Sequence, residues 1–183
     1  MKILIATQKP FAKKAVDGIK EILTAAGYEV AMLERYEKPE ELVAAVADVD
    51  GLIVRSDKVT AEVIEAAPQL KIVVRAGAGY DNVDLAAASA RDIVVMNTPG
   101  QNSNAVAELA IAMMIYMSRN RFTPGTGFEL QGKTVGIHAY GNVGRLVARK
   151  AKALGMKDTN FANPDGIHSD NHYSTYADLA ILG

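Results

Sequence analysis

Thr134-Val135-Gly136-Ile137-His138-Ala139-Tyr140-Gly141-Asn142-Val143-Gly144-Arg145 is an apolar run that ends in a glycine-punctuated turn. Leu146, Val147, Ala151 and Leu154 follow at helical spacing, so the stretch reads as a strand, a tight turn and the start of a helix. That order is the opening of a dinucleotide-binding unit. Gly141 would let the backbone approach a pyrophosphate, and Gly144 would let the helix pack closely on its strand. The free N–H groups at the helix N-terminus would face the phosphate charge. One position departs from the pattern. A full fingerprint reads G-x-G-x-x-G, and here Ala139 stands first, so the tight turn must be made with a Cβ present.

Upstream of the turn the chain alternates. Met1–Thr7 reads as a first strand and residues 11–26 as a helix with one apolar face, stopped at Gly27. Glu29–Leu33 is strand-like, and Pro39 and Glu40 open a helix through Ala47. Leu52-Ile53-Val54 is a short strand, followed by a helix that Thr60 caps and Pro68 ends. Ile72-Val73-Val74 is a strand, Val83–Ala90 a helix and Ile93–Met96 a strand. Repeated βα units with continuous apolar strands predict a flavodoxin-like, doubly wound parallel sheet covered on both faces. Residues 1–98 form this first domain, and the turn cluster Asn97-Thr98-Pro99-Gly100 places a hinge before a second, residues 99–183. A helix over 103–120 is apolar on nearly every side from Ala105 to Met117. It is too short to span a bilayer, so protein must surround it, as a domain core or a partner subunit. Met113, Met114 and Met117 suit an adaptable interface or core filling equally well.

The totals narrow the function. The chain has 183 residues, 49% hydrophobic and 22% charged, which suits a globular protein of one or two domains. A formal charge of -1 offers no field for nucleic acid or an anionic membrane, so an anionic ligand must be held by local groups. With no cysteine, disulfide scaffolds, thiol catalysis and thiolate metal sites are excluded. The apolar run at the N-terminus is too brief for a signal segment, and a soluble cytoplasmic protein is expected. His138, inside the expected strand, reads as a half-buried histidine satisfied by neighbours. His168, Asp170 and His172 read as part of a solvated loop rather than a metal site, so no metal is expected.

Two anion-binding candidates stand at the C-terminal ends of strands, where open α/β sheets place ligands. One is Arg55-Ser56. The other is Arg75-Ala76-Gly77-Ala78-Gly79-Tyr80-Asp81-Asn82-Val83-Asp84, whose small residues bare consecutive N–H groups that can hold a carboxylate. The alternative is that the arginines pair with neighbouring carboxylates and the glycines only make turns.

Gly51–Ser56, Arg75–Asp84, Val95–Pro99, the helix with Ala107-Glu108, and Gly132–Ile137, in this order, resemble the D-isomer-specific 2-hydroxyacid dehydrogenases over residues 1 to about 157. The resemblance implies a flavodoxin-like substrate domain followed by the start of a Rossmann domain that binds NAD, acting on a small phosphorylated 2-hydroxy acid. Arg55 and Ser56 would lie near the substrate phosphate or carboxylate, and Arg75, Ala76 and Gly77 would line the cleft, their N–H groups holding the carboxylate. Asn97 and Pro99 would mark the hinge, and the 103–120 helix would help form a homodimer. Tyr140, Gly141, Asn142, Val143 and Gly144 would meet the NAD pyrophosphate. Asn163, or the displaced Asp165, stands where an acidic residue would bond the ribose.

The family's catalytic arginine, glutamate and histidine lie downstream of the glycine turn, and no residue here matches them. The chain alone is therefore expected to be inactive. Its texture changes after Lys157, where Lys and Arg give way to Asn-rich sequence. That change points to truncation, a shifted reading frame or a chain represented only in part. A dinucleotide-sensing or dimerising protein on the same fold is the alternative function.

Overall fold

The computed structural model describes residues 1–156. These belong to two compact units, Met1–Pro99 and a second that begins at Gly100.

The first unit alternates strand and helix throughout: β1 (Lys2–Thr7), α1 (Lys13–Ala25), β2 (Glu29–Glu34), α2 (Pro39–Ala45), β3 (Gly51–Val54), α3 (Ala61–Glu65), β4 (Ile72–Arg75), α4 (Leu85–Ala90) and β5 (Val94–Asn97). The strands form one sheet in the order β2-β1-β3-β4-β5, and every pair is parallel. This is the flavodoxin-like order, whose direction reverses beside β1. The register aligns Ala31, Leu4, Leu52, Val73 and Val95 in one row across the sheet. That row meets Leu42 and Val46 from α2 and its end, Val63 and Ile64 from α3, and Ala88 from α4 in a single core. Leu52 is wholly buried there, a burial that contributes about 2 kcal/mol.

The opposite face is less complete than continuous apolar strands predict. Ile3 and Ile5 are buried on it, but Val94 and Met96 of the edge strand β5 are 55% and 52% exposed. Three helices feed the first face and α1 contributes nothing to that cluster, so the second face lacks cover at β5.

Local chemistry sets the helix starts. The Thr60 hydroxyl accepts the Val63 N–H, and the Asp84 carboxylate accepts the Ala87 N–H at 3.0 Å. Because Asp84 caps it, α4 begins at Leu85 rather than at the expected Val83, which instead bridges to Val59.

In the second unit, α5 (Ser103–Ser118) and α6 (Asn142–Ala153) pack together. Ala107 and Ile111 of α5 meet Val135, Val147, Ala151 and Met156 in its core. α5 stops two residues short of the expected Asn120. Beyond it Asn120, Arg121 and Phe122 have φ of 51°, 58° and 58°, a left-handed turn that cannot continue a helix and costs about 1–2 kcal/mol per residue. Protein surrounds only part of α5: Leu109, Met113 and Met117 are exposed. The strand expected at 134–138 is not present among the described residues. His138 is exposed, not half-buried: Val135 and Ile137 pack into the core of the second unit, and His138 lies outside it. No helix of the described residues is long and apolar enough to cross a membrane.

Candidate functional site

In the first unit the C-terminal ends of β1, β3, β4 and β5 carry the candidate residues. β3 ends at Val54, which puts Arg55 and Ser56 in the solvent just beyond the sheet. β4 ends at Arg75, in register with Val54 on one side and Asn97 on the other. The half-buried Arg75 turns back toward β3, and its Nε–H donates to the Arg55 carbonyl at 2.9 Å. The two arginines therefore share one edge. Among the described residues neither forms an ion pair, so the alternative in which both are consumed by neighbouring carboxylates is not what the fold builds.

The glycine loop after β4 is held from both sides. The Ala76 N–H donates to the Val54 carbonyl at 2.8 Å, and the Gly77 carbonyl accepts the Thr98 N–H at 2.9 Å. Asn97, expected at a hinge, donates its Nδ2 to the Ala78 carbonyl at 2.7 Å. These bonds correct one expectation. The N–H groups of Ala76 and Gly77 are not bare, since Gly77 also donates, to the Arg75 carbonyl at 2.8 Å. The N–H groups of Ala78 and Gly79 have no protein acceptor among the described residues. A Cβ at 77 would lie 2.5 Å from the Arg75 guanidinium carbon, so a side chain there would displace the Arg75 fork from its place.

Asp57, which the sequence reading passed over, is the buried charge of this edge at 5% exposure. One carboxylate oxygen accepts the Gln8 N–H at 2.7 Å and the Tyr36 hydroxyl at 2.8 Å, and the other accepts the Arg55 N–H at 3.4 Å. Burial, and then the Asp57 carboxylate, hold the Tyr36 hydroxyl far above the ordinary tyrosine range, so it stays a donor. Asn82 donates its Nδ2 to the Asp57 carbonyl at 2.7 Å. The available signal was position: a carboxylate three residues past a parallel strand falls where the sheet collects bare N–H groups.

In the second unit the glycine turn is built by three positions. Ala139 takes φ 69°, the left-handed backbone that the fingerprint normally assigns to glycine. Gly141 caps α6 and a Cβ on it would meet nothing within 4 Å, leaving open space at the helix N-terminus. Gly144 has no such room, since a Cβ there would lie 2.6 Å from the Ala139 carbonyl oxygen and 3.2 Å from Ile137 Cγ2. These are the tight turn, open approach and close packing that a pyrophosphate turn needs. Asn142 is exposed and Val143 half-buried in the first turn of α6, and Arg145 sets its guanidinium against the Gly141 carbonyl and Asn142 Oδ1 at 3.4 and 3.3 Å. Asn163, Asp165 and the His168, Asp170, His172 group lie outside the described residues.

Comparison with known proteins identifies the family. The sequence model of the D-isomer specific 2-hydroxyacid dehydrogenase catalytic domain matches residues 5–177. The chain is 43% identical over 156 residues to D-3-phosphoglycerate dehydrogenase of Rattus norvegicus, covering 78% of this chain and 29% of the rat protein. It is 41% identical to hydroxypyruvate reductase of Thermotoga maritima over 143 residues, 70% of this chain and 47% of that one. Its structure matches NAD+-bound 3-phosphoglycerate dehydrogenase of Entamoeba histolytica with a TM-score of 0.86 and 50% identity, over 96% of this chain and 57% of that chain. The chain thus spans well under two thirds of these relatives. On this evidence it belongs to the D-isomer-specific 2-hydroxyacid dehydrogenase family.

Proposed function

We propose that the chain forms the substrate-recognition domain (1–98) and the opening of the NAD-binding domain (99–183) of a cytoplasmic D-3-phosphoglycerate dehydrogenase. Such an enzyme oxidises the 2-hydroxyl of 3-phosphoglycerate on the way to serine. The observation that carries the reading is the pair Arg55 and Arg75, joined at 2.9 Å and free of ion-pair partners among the described residues. Two unneutralised guanidinium groups at one sheet edge suit a substrate with two anionic ends. Arg55 and Ser56 take one end. Arg75, with Ala76 and Gly77, lines the site, and the N–H groups of Ala78 and Gly79 are available to the other.

The glycine turn fits a dinucleotide, with Tyr140, Gly141, Asn142, Val143 and Gly144 holding the pyrophosphate. NAD, when bound, supplies the acceptor for the hydride that leaves the substrate carbon. No residue of these 183 matches the family's catalytic arginine, glutamate and histidine, so this chain alone gives no turnover. The exposed stripe of Leu109, Met113 and Met117, spaced four apart on α5, pairs with a second copy in a homodimer. Met113→Lys should shift the sedimenting species to monomer, and an unchanged dimer would contradict that contact.

Calorimetric titration of the chain with 3-phosphoglycerate and, separately, with NADH tests the function. Both ligands should bind. Binding of NADH alone would instead favour a dinucleotide sensor, and binding of neither would overturn the reading.

A further inference from the structure

We propose that Asp57 is the positioning residue of the anion site: its buried carboxylate fixes the backbone of Arg55 so that the Arg55 and Ser56 side chains meet the substrate anion. The inference rests on the substrate site proposed above.

The geometry separates two functions within one carboxylate. The oxygen that accepts from Gln8 N–H and Tyr36 O–H, at 2.7 and 2.8 Å, ties the group to the end of β1 and to the segment after β2. Among the described residues the other oxygen accepts only the Arg55 N–H, at 3.4 Å. Asn82 holds the Asp57 carbonyl, and the Val59 N–H donates to the Asn82 carbonyl at 2.8 Å, so the loop after β4 is bound to the same point. Four segments thus meet at one residue. The residue carries a negative charge beside a site that must attract anions, an arrangement that costs affinity by charge alone. A gain in position offsets that cost only if Arg55 would otherwise wander, since Arg55 is exposed and its side chain has no protein partner among the described residues.

Asp57→Asn separates position from charge. An amide can keep its oxygen toward Gln8 and Tyr36, which leaves its NH2 facing the Arg55 N–H, donor against donor. The fold's two stronger bonds survive and only the Arg55 bond is broken. Charge alone then predicts tighter binding of an anion, whereas positioning predicts weaker binding. Tyr36→Phe is the matched control, because it removes a bond from the first oxygen and leaves the Arg55 contact intact.

The test is calorimetric titration of the full chain with 3-phosphoglycerate for wild type, Asp57→Asn, Tyr36→Phe and Arg55→Ala, with amide hydrogen exchange read at Arg55 and Gln8. Asp57→Asn should weaken binding about tenfold, the scale of one hydrogen bond to a charged group. It should also speed exchange at Arg55 about tenfold while leaving Gln8 unchanged, and Tyr36→Phe should bind within about twofold of wild type. Binding by Asp57→Asn as tight as wild type or tighter, or unaltered exchange at Arg55, would overturn the proposal. If wild type fails to bind, or Arg55→Ala binds unchanged, the substrate site is itself misplaced and the proposal falls with it. That outcome is recognisable because the fault appears before Asp57 is touched.

Discussion

Arg75 reaches from the end of β4 to the end of β3 and donates its Nε–H to the Arg55 carbonyl at 2.9 Å. The bond uses the one guanidinium nitrogen that lies in the stem of the fork and leaves the two terminal nitrogens for a ligand. Lysine keeps the charge but has neither the fork nor the stem donor. Arg75→Lys should therefore weaken 3-phosphoglycerate binding about tenfold or more, with an unchanged urea midpoint. Equal affinity would show that Arg75 acts as a point charge only.

Ala139 holds φ 69° with a Cβ in place. Left-handed backbone costs a non-glycine residue about 1–2 kcal/mol, and glycine returns part of that gain through the entropy of the unfolded chain, about 0.5–1 kcal/mol. Ala139→Gly should raise the stability of the second unit by about 0.5–1 kcal/mol. A lower urea midpoint would contradict the strained turn.

Gly141 and Gly144 stand three residues apart and should respond differently to the same added methyl. At Gly144 the Cβ meets backbone oxygen at 2.6 Å, so Gly144→Ala should destabilise by about 1–3 kcal/mol. At Gly141 the protein leaves space, and Gly141→Ala should change stability by less than about 1 kcal/mol while reducing NADH affinity severalfold. Unaltered NADH binding in Gly141→Ala would remove the pyrophosphate from this turn.

Glu41 and Tyr36 contribute to the pH dependence of stability with opposite signs. Glu41 accepts the N–H groups of Lys38 and Glu37, which hold its carboxyl below the ordinary 4.5. Its stabilisation is present above that value and is lost as pH falls through the lowered one. Tyr36 is shifted the other way, so its contribution is whole below the ordinary 10.0 and is lost as pH rises through the raised value. Glu41→Gln should flatten the acid limb of a stability profile and Tyr36→Phe the alkaline limb. The reverse assignment would contradict both hydrogen-bond arrangements.

Where sequence and structure agree, the reason is periodicity and capping chemistry. Five short apolar runs, each followed by a helix signal, foretold the parallel sheet, and Thr60 acts as the cap that its side chain suggests. Cover on the second face at Val94 and Met96 was not readable, because a buried and a bare apolar residue look alike in sequence. Ala76 and Gly77 failed as N–H donors for a similar reason. Their small side chains do bare the backbone, but Val54 and Arg75 carbonyls reach it first. Asp57 was missed because its partners come from Gln8, Tyr36 and Arg55, which only the fold assembles. At the glycine turn the departure itself was informative, since Ala139 adopts the glycine conformation that the fingerprint demands.

Discrimination between 3-phosphoglycerate and D-glycerate is the most direct test of the proposed site, because the two ligands differ only by the phosphate. If Arg55, Ser56 and Arg75 form a site for a substrate with two anionic ends, calorimetry on the intact chain should show 3-phosphoglycerate binding at least about tenfold more tightly than D-glycerate. Equal affinities, or none for either, would contradict it.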